Sequence, residues 1–283
     1  MMGTMTADTA GVLRIGGYVP DKGVASRLAR DIRTACTGLT SAEMSAIVRK
    51  ALYRAGRTTV SVRKRSFCMS AQWVGNTVQH VHSVGPKRAF NDACTSTREF
   101  AAALPGRTLG LYRSFQRMTP GRRVDEITQL LMTWLVFYGA AGQSDLEGGL
   151  PDLDLVTGIG NHRSVFSHSL LLGLEVEVGL RFALYMLHAL IERMPADRHP
   201  VWPTIAEALD RYGDRALTGV WLGIGAHLIN DAGLLHLAGT KPVVGLPWSM
   251  PMGAHKAFLA ANGVACAAAA SSKQEEGPER LRA

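Results

Sequence analysis

Cysteine is scarce in this chain: four residues, Cys36, Cys68, Cys94 and Cys266, stand among 283, and no two form a CxxC pair. That spacing indicates neither a disulfide scaffold nor a thiolate zinc site, and the four read as reduced core residues. Carboxylates are also in the minority, 23 against 31 Lys and Arg, for a net charge of +8. A basic balance of this size favours polyanions, whether nucleic acid or an anionic membrane face, without separating them. The N-terminus lacks a charged stretch followed by an apolar one, so no secretory signal is expected. The cytoplasm is the expected address, with peripheral contact at the inner membrane. Missing too is an uncharged apolar run of about twenty residues, the length a lone membrane span needs. The strongly apolar stretches 169–194 and 216–239 are interrupted by Glu175, Glu177, Arg181, His188, His227 and Asp231. They read as buried helices.

What the chain does have is ample apolar character, 47%, for a packed core. Val24, Leu28, Ile32 and Ala35 recur at helical spacing. Thr40-Ser-Ala-Glu43 has the form of a capping box ahead of Met44, Ile47, Val48 and Ala51. Thr58 to Phe67 alternates like a strand, with the segment through Trp73 and Val81 as its partner. There His80 and His82 share a face, as metal ligands or, more simply, as solvated residues. A helix is expected from Phe90 to Leu104, stopped by Pro105-Gly106. Val124, Ile127, Leu131, Trp134 and Tyr138 define a long apolar helix ending in Gly139-Ala-Ala-Gly142. The expected fold is mainly α: a small basic N-terminal α(+β) module over 1–120, a helical domain over 121–270 that carries an Asp/His metal site, and a disordered tail over 271–283. The basic residues of the first module, among them Arg63, Lys64 and Arg65, offer a nucleic-acid surface or an ordinary solvated face.

Chemistry concentrates in two clusters. The first, Leu150 to Ser169, gathers Asp152, Asp154, His162, Arg163 and His168; the second, Gly225 to Asp231, holds His227 and Asp231. Pro151 disfavours a helix at Leu150, so Asp152 and Asp154 should begin in an extended or turn segment, where residues two apart can face the same way. Ser164 or Ser167 could cap a helix running toward Met194. On that helix Glu175 lies about 20° from His168 in projection, which makes it the supporting carboxylate, while Glu177 falls on the far side. His227 and Asp231 are four apart and stack on one helix face. Three Asp and three His without a thiolate suit a divalent cation, zinc first and manganese second. Arg163 is placed to contact a phosphate oxygen or to offset negative charge in a transition state. The structural alternative is an Asp–Arg–His network that only knits helices together. Gly223-Ile-Gly225 suits close helix packing.

The order of these motifs, Pro151-Asp-Leu-Asp154, His162-Arg163, Ser167-His-Ser-Leu170, His227-Leu-Ile-Asn-Asp231 and then Pro242-Val-Val-Gly-Leu-Pro-Trp-Ser249, resembles the membrane-associated metal-dependent hydrolases of the YdjM type. The likeness covers about residues 145–250. This chain has Leu155 where members often have His, and Ser167 where Thr is usual. The resemblance implies a metal site and hydrolysis, here expected of a phosphoester such as a phospholipid or nucleic acid. The competing expectation is a non-catalytic protein that binds nucleic acid or membrane through its basic N-terminal region.

Overall fold

A computed structural model gives the architecture. It describes residues 23–144, 146–158, 163–235, 240–247 and 250–271. Seven α-helices account for most of these residues: α1 Val24–Cys36, α2 Ser41–Val84, α3 Pro86–Gln116, α4 Pro120–Ala141, α5 Leu170–Arg193, α6 Val201–Asp231 and α7 Met252–Ser271. A 3-10 turn, Pro151–Thr157, separates α4 from α5. No strand occurs among the described residues; their one β feature is an isolated parallel bridge between Ser164 and Val244.

The expected β pairing is replaced by α2. The capping box forms, with Glu43 N–H donating to Thr40 Oγ1 at 3.2 Å and Thr40 N–H to Glu43 Oε2 at 2.8 Å. The helix then runs without a break through the stretch that alternates. Its buried side is Ala51, Ala55, Thr59, Arg63 and Ser66, a stripe of helical period. Because that stripe is built from small and polar side chains, a count of apolar residues passes over it and catches the outward Val60 instead, which is 62% exposed. His80 and His82 are exposed on the same helix, and His80 Nε2 lies 3.0 Å from Asp92 of α3. The helix expected to stop before Pro105 continues as α3 to Gln116. Its surroundings there are exposed, so solvent can take up the carbonyl that a proline leaves unpaired.

Helices on the two sides of Pro120 touch: α2 packs on α5 and α7, and α1 on α5. A buried polar knot joins them. Glu177 of α5 accepts Arg63 Nε at 2.7 Å, Arg181 NH2 at 2.8 Å and Trp221 Nε1 at 2.7 Å, and Arg63 NH1 reaches the Ala269 carbonyl at 2.5 Å. Around it lies the apolar core of Trp221, Ile224, Leu228, Leu259 and Cys266. Of the cysteines only Cys266 is buried; Cys68 is exposed and Cys36 and Cys94 are half-buried. Burial pushes the Cys266 thiol up to about 12.

α6 is central because it is thin. A Cβ at Gly223 would meet Ala140 Cβ of α4 at 2.7 Å, and one at Gly225 would meet the Gly263 carbonyl of α7 at 3.0 Å. These glycines let α6 approach both neighbours closely, as their spacing predicts. That closeness sets the end of α6, where His227 and Asp231 lie, beside the end of α4.

Candidate metal centre

Four segments meet at the C-terminal ends of α4 and α6. α4 stops at Gly142, whose φ of 92° is left-handed, and the chain folds back so that Leu150 N–H donates to the Ala140 carbonyl at 3.1 Å. This return places Pro151 and the 3-10 turn at the site. Asp152 and Asp154 therefore sit on a tight turn, one of the two forms expected after Pro151, but they serve different atoms. Asp152 Oδ2 accepts Gly148 N–H at 2.7 Å, which leaves Oδ1 toward the centre. Asp154 Oδ2 accepts Ser164 N–H at 3.1 Å and a short hydrogen bond from the Ser167 hydroxyl.

His168 precedes α5; the helix is capped by Ser169, whose Oγ accepts Leu171 N–H at 3.2 Å, and not by Ser164 or Ser167. The projection that put Glu175 over His168 fails for this reason, since His168 is not on the helix. Glu175 is exposed, and Glu177 takes the buried side of α5. Ser167 Oγ lies 2.9 Å from His168 Nδ1. Because that hydroxyl gives its one proton to Asp154, it accepts from Nδ1–H, and the relay fixes His168 with Nε2 toward the centre. His227 reaches the same arrangement from α6, its Nδ1 donating to the Ala141 carbonyl at 3.2 Å.

Asp152, His168 and His227 could hold a metal ion: each offers a ligand atom, and those atoms lie within 4.8 Å of one another. Asp152 Oδ1 is 3.4 Å from His168 Nε2 and 3.6 Å from His227 Nε2. Asp231 Oδ2 repeats these distances, 3.4 and 3.6 Å. Such separations are too long for charge-assisted hydrogen bonds, which run near 2.7–2.9 Å. They match the roughly 3.4 Å between tetrahedral ligands that each lie about 2.1 Å from one cation. Neither His227 Nε2 nor Asp231 Oδ2 has a hydrogen-bond partner among the described residues, and both residues are fully buried.

The electrostatics agree. Burial pushes the Asp152 and Asp231 carboxyls up, but the His168 and His227 imidazoles outweigh it and hold both below the ordinary carboxylate range. Burial lowers the two imidazoles, and the facing carboxylates more than reverse this, raising His168 and taking His227 to about 9. A field that retains protons on two buried imidazoles is one that a divalent cation satisfies in their place.

Two cations flank Asp231. Arg163 Nε lies 3.7 Å from Oδ2, on a side chain 25% exposed, and Lys241 Nζ lies 2.9 Å from Oδ1 and 2.8 Å from Glu147 Oε1. Arg163 has φ of 62°, a left-handed conformation that costs a non-glycine residue about 1–3 kcal/mol. The short parallel pairing with residue 244 holds it there: Val244 N–H donates to the Arg163 carbonyl at 2.8 Å and Val165 N–H to the Val244 carbonyl at 2.9 Å.

The structure thus brings together Asp152, Asp154, Arg163, His168, His227 and Asp231, and leaves Glu175 out. His162 lies outside the described residues. Lys241 and Ser167 escaped sequence reasoning as site residues, although Lys241 directly precedes the Pro242-Val-Val-Gly segment. Of the basic triad, Arg63 is buried in the Glu177 knot and contributes to no surface. No helix among the described residues is long and apolar enough to cross a membrane. No family model, curated protein or solved structure matches this chain, and the resemblance to YdjM-type hydrolases rests on the motif residues alone.

Proposed function

We propose that the chain is a metal-dependent hydrolase of a phosphoester, with one divalent cation, zinc before manganese, held by Asp152, His168, His227 and Asp231. The observation that carries this reading is the convergence of two fully buried groups, His227 Nε2 and Asp231 Oδ2, with Asp152 and His168 at ligand spacing. The donor set is nitrogen and oxygen only, which fits zinc or manganese and not a soft ion. When bound, such a cation supplies Lewis acidity and lowers the pKa of water toward neutrality.

The protein's own residues do the rest. Asp154 and Ser167 orient His168, and the Ala141 carbonyl orients His227. Lys241 holds Asp231 from its far oxygen and keeps the other toward the centre. Arg163, partly exposed, binds a phosphoryl oxygen and offsets charge that builds up as the ester is cleaved. Leu153, Leu155, Val156 and Phe166, all exposed, lie on the two segments that carry Asp152, Asp154 and His168. Apolar side chains so close to the ligands favour a phospholipid over nucleic acid.

Elemental analysis of the purified protein tests the reading, with His168→Ala, Asp231→Ala as the control. Near-stoichiometric zinc or manganese, lost in the double variant, together with metal-dependent cleavage of phosphodiesters or phospholipids, is the expected result. No metal after reconstitution overturns it. Bound metal without any hydrolysis leaves a structural metal site and overturns the enzyme.

A further inference from the structure

Beyond its charged first turns α4 is mostly apolar, and only one of its two apolar faces is packed. Its inner face lies against α6, where Thr133, Val136, Phe137 and Ala140 meet Gly219 and Gly223. Its outer face carries Val124, Ile127, Leu130, Leu131, Trp134, Leu135 and Tyr138, each between 36% and 65% exposed. These seven span about 140° of the helix at 100° per residue, far wider than a chance apolar position. A contiguous exposed apolar face of this width marks an interaction surface.

We propose that this outer face is where a second copy of the chain docks, α4 against α4. The spacing of Val124, Ile127, Leu131, Trp134 and Tyr138 alternates three and four, which is the a and d register of a seam that receives another helix. Trp134 and Tyr138 are already stacked along it, with centroids 5.4 Å apart. Together the seven side chains expose on the order of 700–800 Å² of surface, close to the roughly 800 Å² that each partner contributes to a specific interface. The row has no charged member that would select a different partner, and a two-fold contact uses it on both copies.

A lipid surface fits less well. A helix lying on a membrane sets Lys and Arg on its polar side, whereas the side of α4 opposite the row is packed on α6. The charged residues of α4, Arg122, Arg123, Asp125 and Glu126, are confined to its start, and none follows Ile127. The helix that forms the seam ends in Ala141, whose carbonyl bonds His227 Nδ1.

The test is the mass of the full chain in detergent-free solution by light scattering or sedimentation, for wild type, Leu131→Glu and Trp134→Glu. Both substituted positions are exposed, so circular dichroism should remain that of the wild type. A wild-type dimer that both variants weaken at least a hundredfold supports the proposal. It is overturned by a wild-type monomer or by a dimer that both variants leave intact. It is equally overturned by a monomer that floats with phosphatidylcholine–phosphatidylglycerol vesicles through this row, which would make the face a lipid contact.

Discussion

His168 and His227 face each other with ring centroids 5.5 Å apart and planes at 64°, and each has its Nδ1 held on the side away from the other. One is fixed by a serine hydroxyl on a turn and the other by the last carbonyl of a helix. Both therefore present Nε2 to a point shared with two carboxylates. Two unrelated local devices set the same tautomer, an arrangement that a purely structural ion pair does not require.

Metal binding at the proposed site would contribute to stability. Chelation should lower the melting temperature of the protein, and reloading should restore it, since a ligand present at a thousand times its dissociation constant adds roughly 4 kcal/mol. His227→Ala should melt at the same temperature with and without chelator. A wild type indifferent to chelation would contradict the site.

In the proposed metal site Ser167 would act only through His168. Ser167→Ala removes the acceptor of Nδ1–H and the donor to Asp154, and should weaken metal affinity about ten- to a hundredfold. Ser167→Thr keeps the hydroxyl and should restore most of the affinity. Titration against a chromophoric chelator measures both, and equal affinities for the Ala and Thr variants would remove Ser167 from this role.

How much of this was legible in the sequence depends on what each signal measures. His227 and Asp231 were placed together because four residues on a helix is a fixed geometry. Asp152, Asp154 and His168 are legible by kind, and Pro151 limits the first two to an extended or turn segment; the turn is selected by the left-handed return after Gly142, which Pro151 alone does not dictate. Glu175 was preferred to Glu177 by projecting a helix back through His168, one residue beyond its true cap. The strand expected at Val60 and Val62 came from counting apolar residues where the buried stripe is Ala51, Ala55, Thr59 and Arg63. Lys241 carried no sequence signal, because its role depends on a pairing between residues 163–165 and 244 that joins distant segments.

Glu177 and Glu175 make a direct comparison. Glu177→Ala leaves Arg63 and Arg181 buried without their shared carboxylate and should destabilise the fold by about 3–5 kcal/mol. Glu175→Gln, on the exposed side of the same helix, should stay within about 0.5 kcal/mol of wild type. Urea denaturation resolves the two. A large loss of stability or of metal in Glu175→Gln would restore that residue as the supporting carboxylate.

Asp31 should govern part of the response to acid. It is buried between α1 and the start of α6, accepting the His199 backbone N–H at 2.8 Å and Trp202 Nε1 at 3.3 Å. The His199 N–H, against a smaller opposing effect of burial and with help from Arg30, holds its carboxyl below the ordinary value of 3.8. A carboxyl depressed in the folded state binds its proton more readily once unfolded. Its stabilisation is therefore present above 3.8 and is lost as the pH falls from there through the lower folded value. In metal-free protein, which isolates the fold from ligand protonation at the centre, Asp31→Asn should lower stability at neutral pH. It should also flatten the decline below 3.8, and the two proteins should converge in acid. Melting curves that run parallel across that range would show that the His199 and Trp202 contacts do not depend on the charge of Asp31.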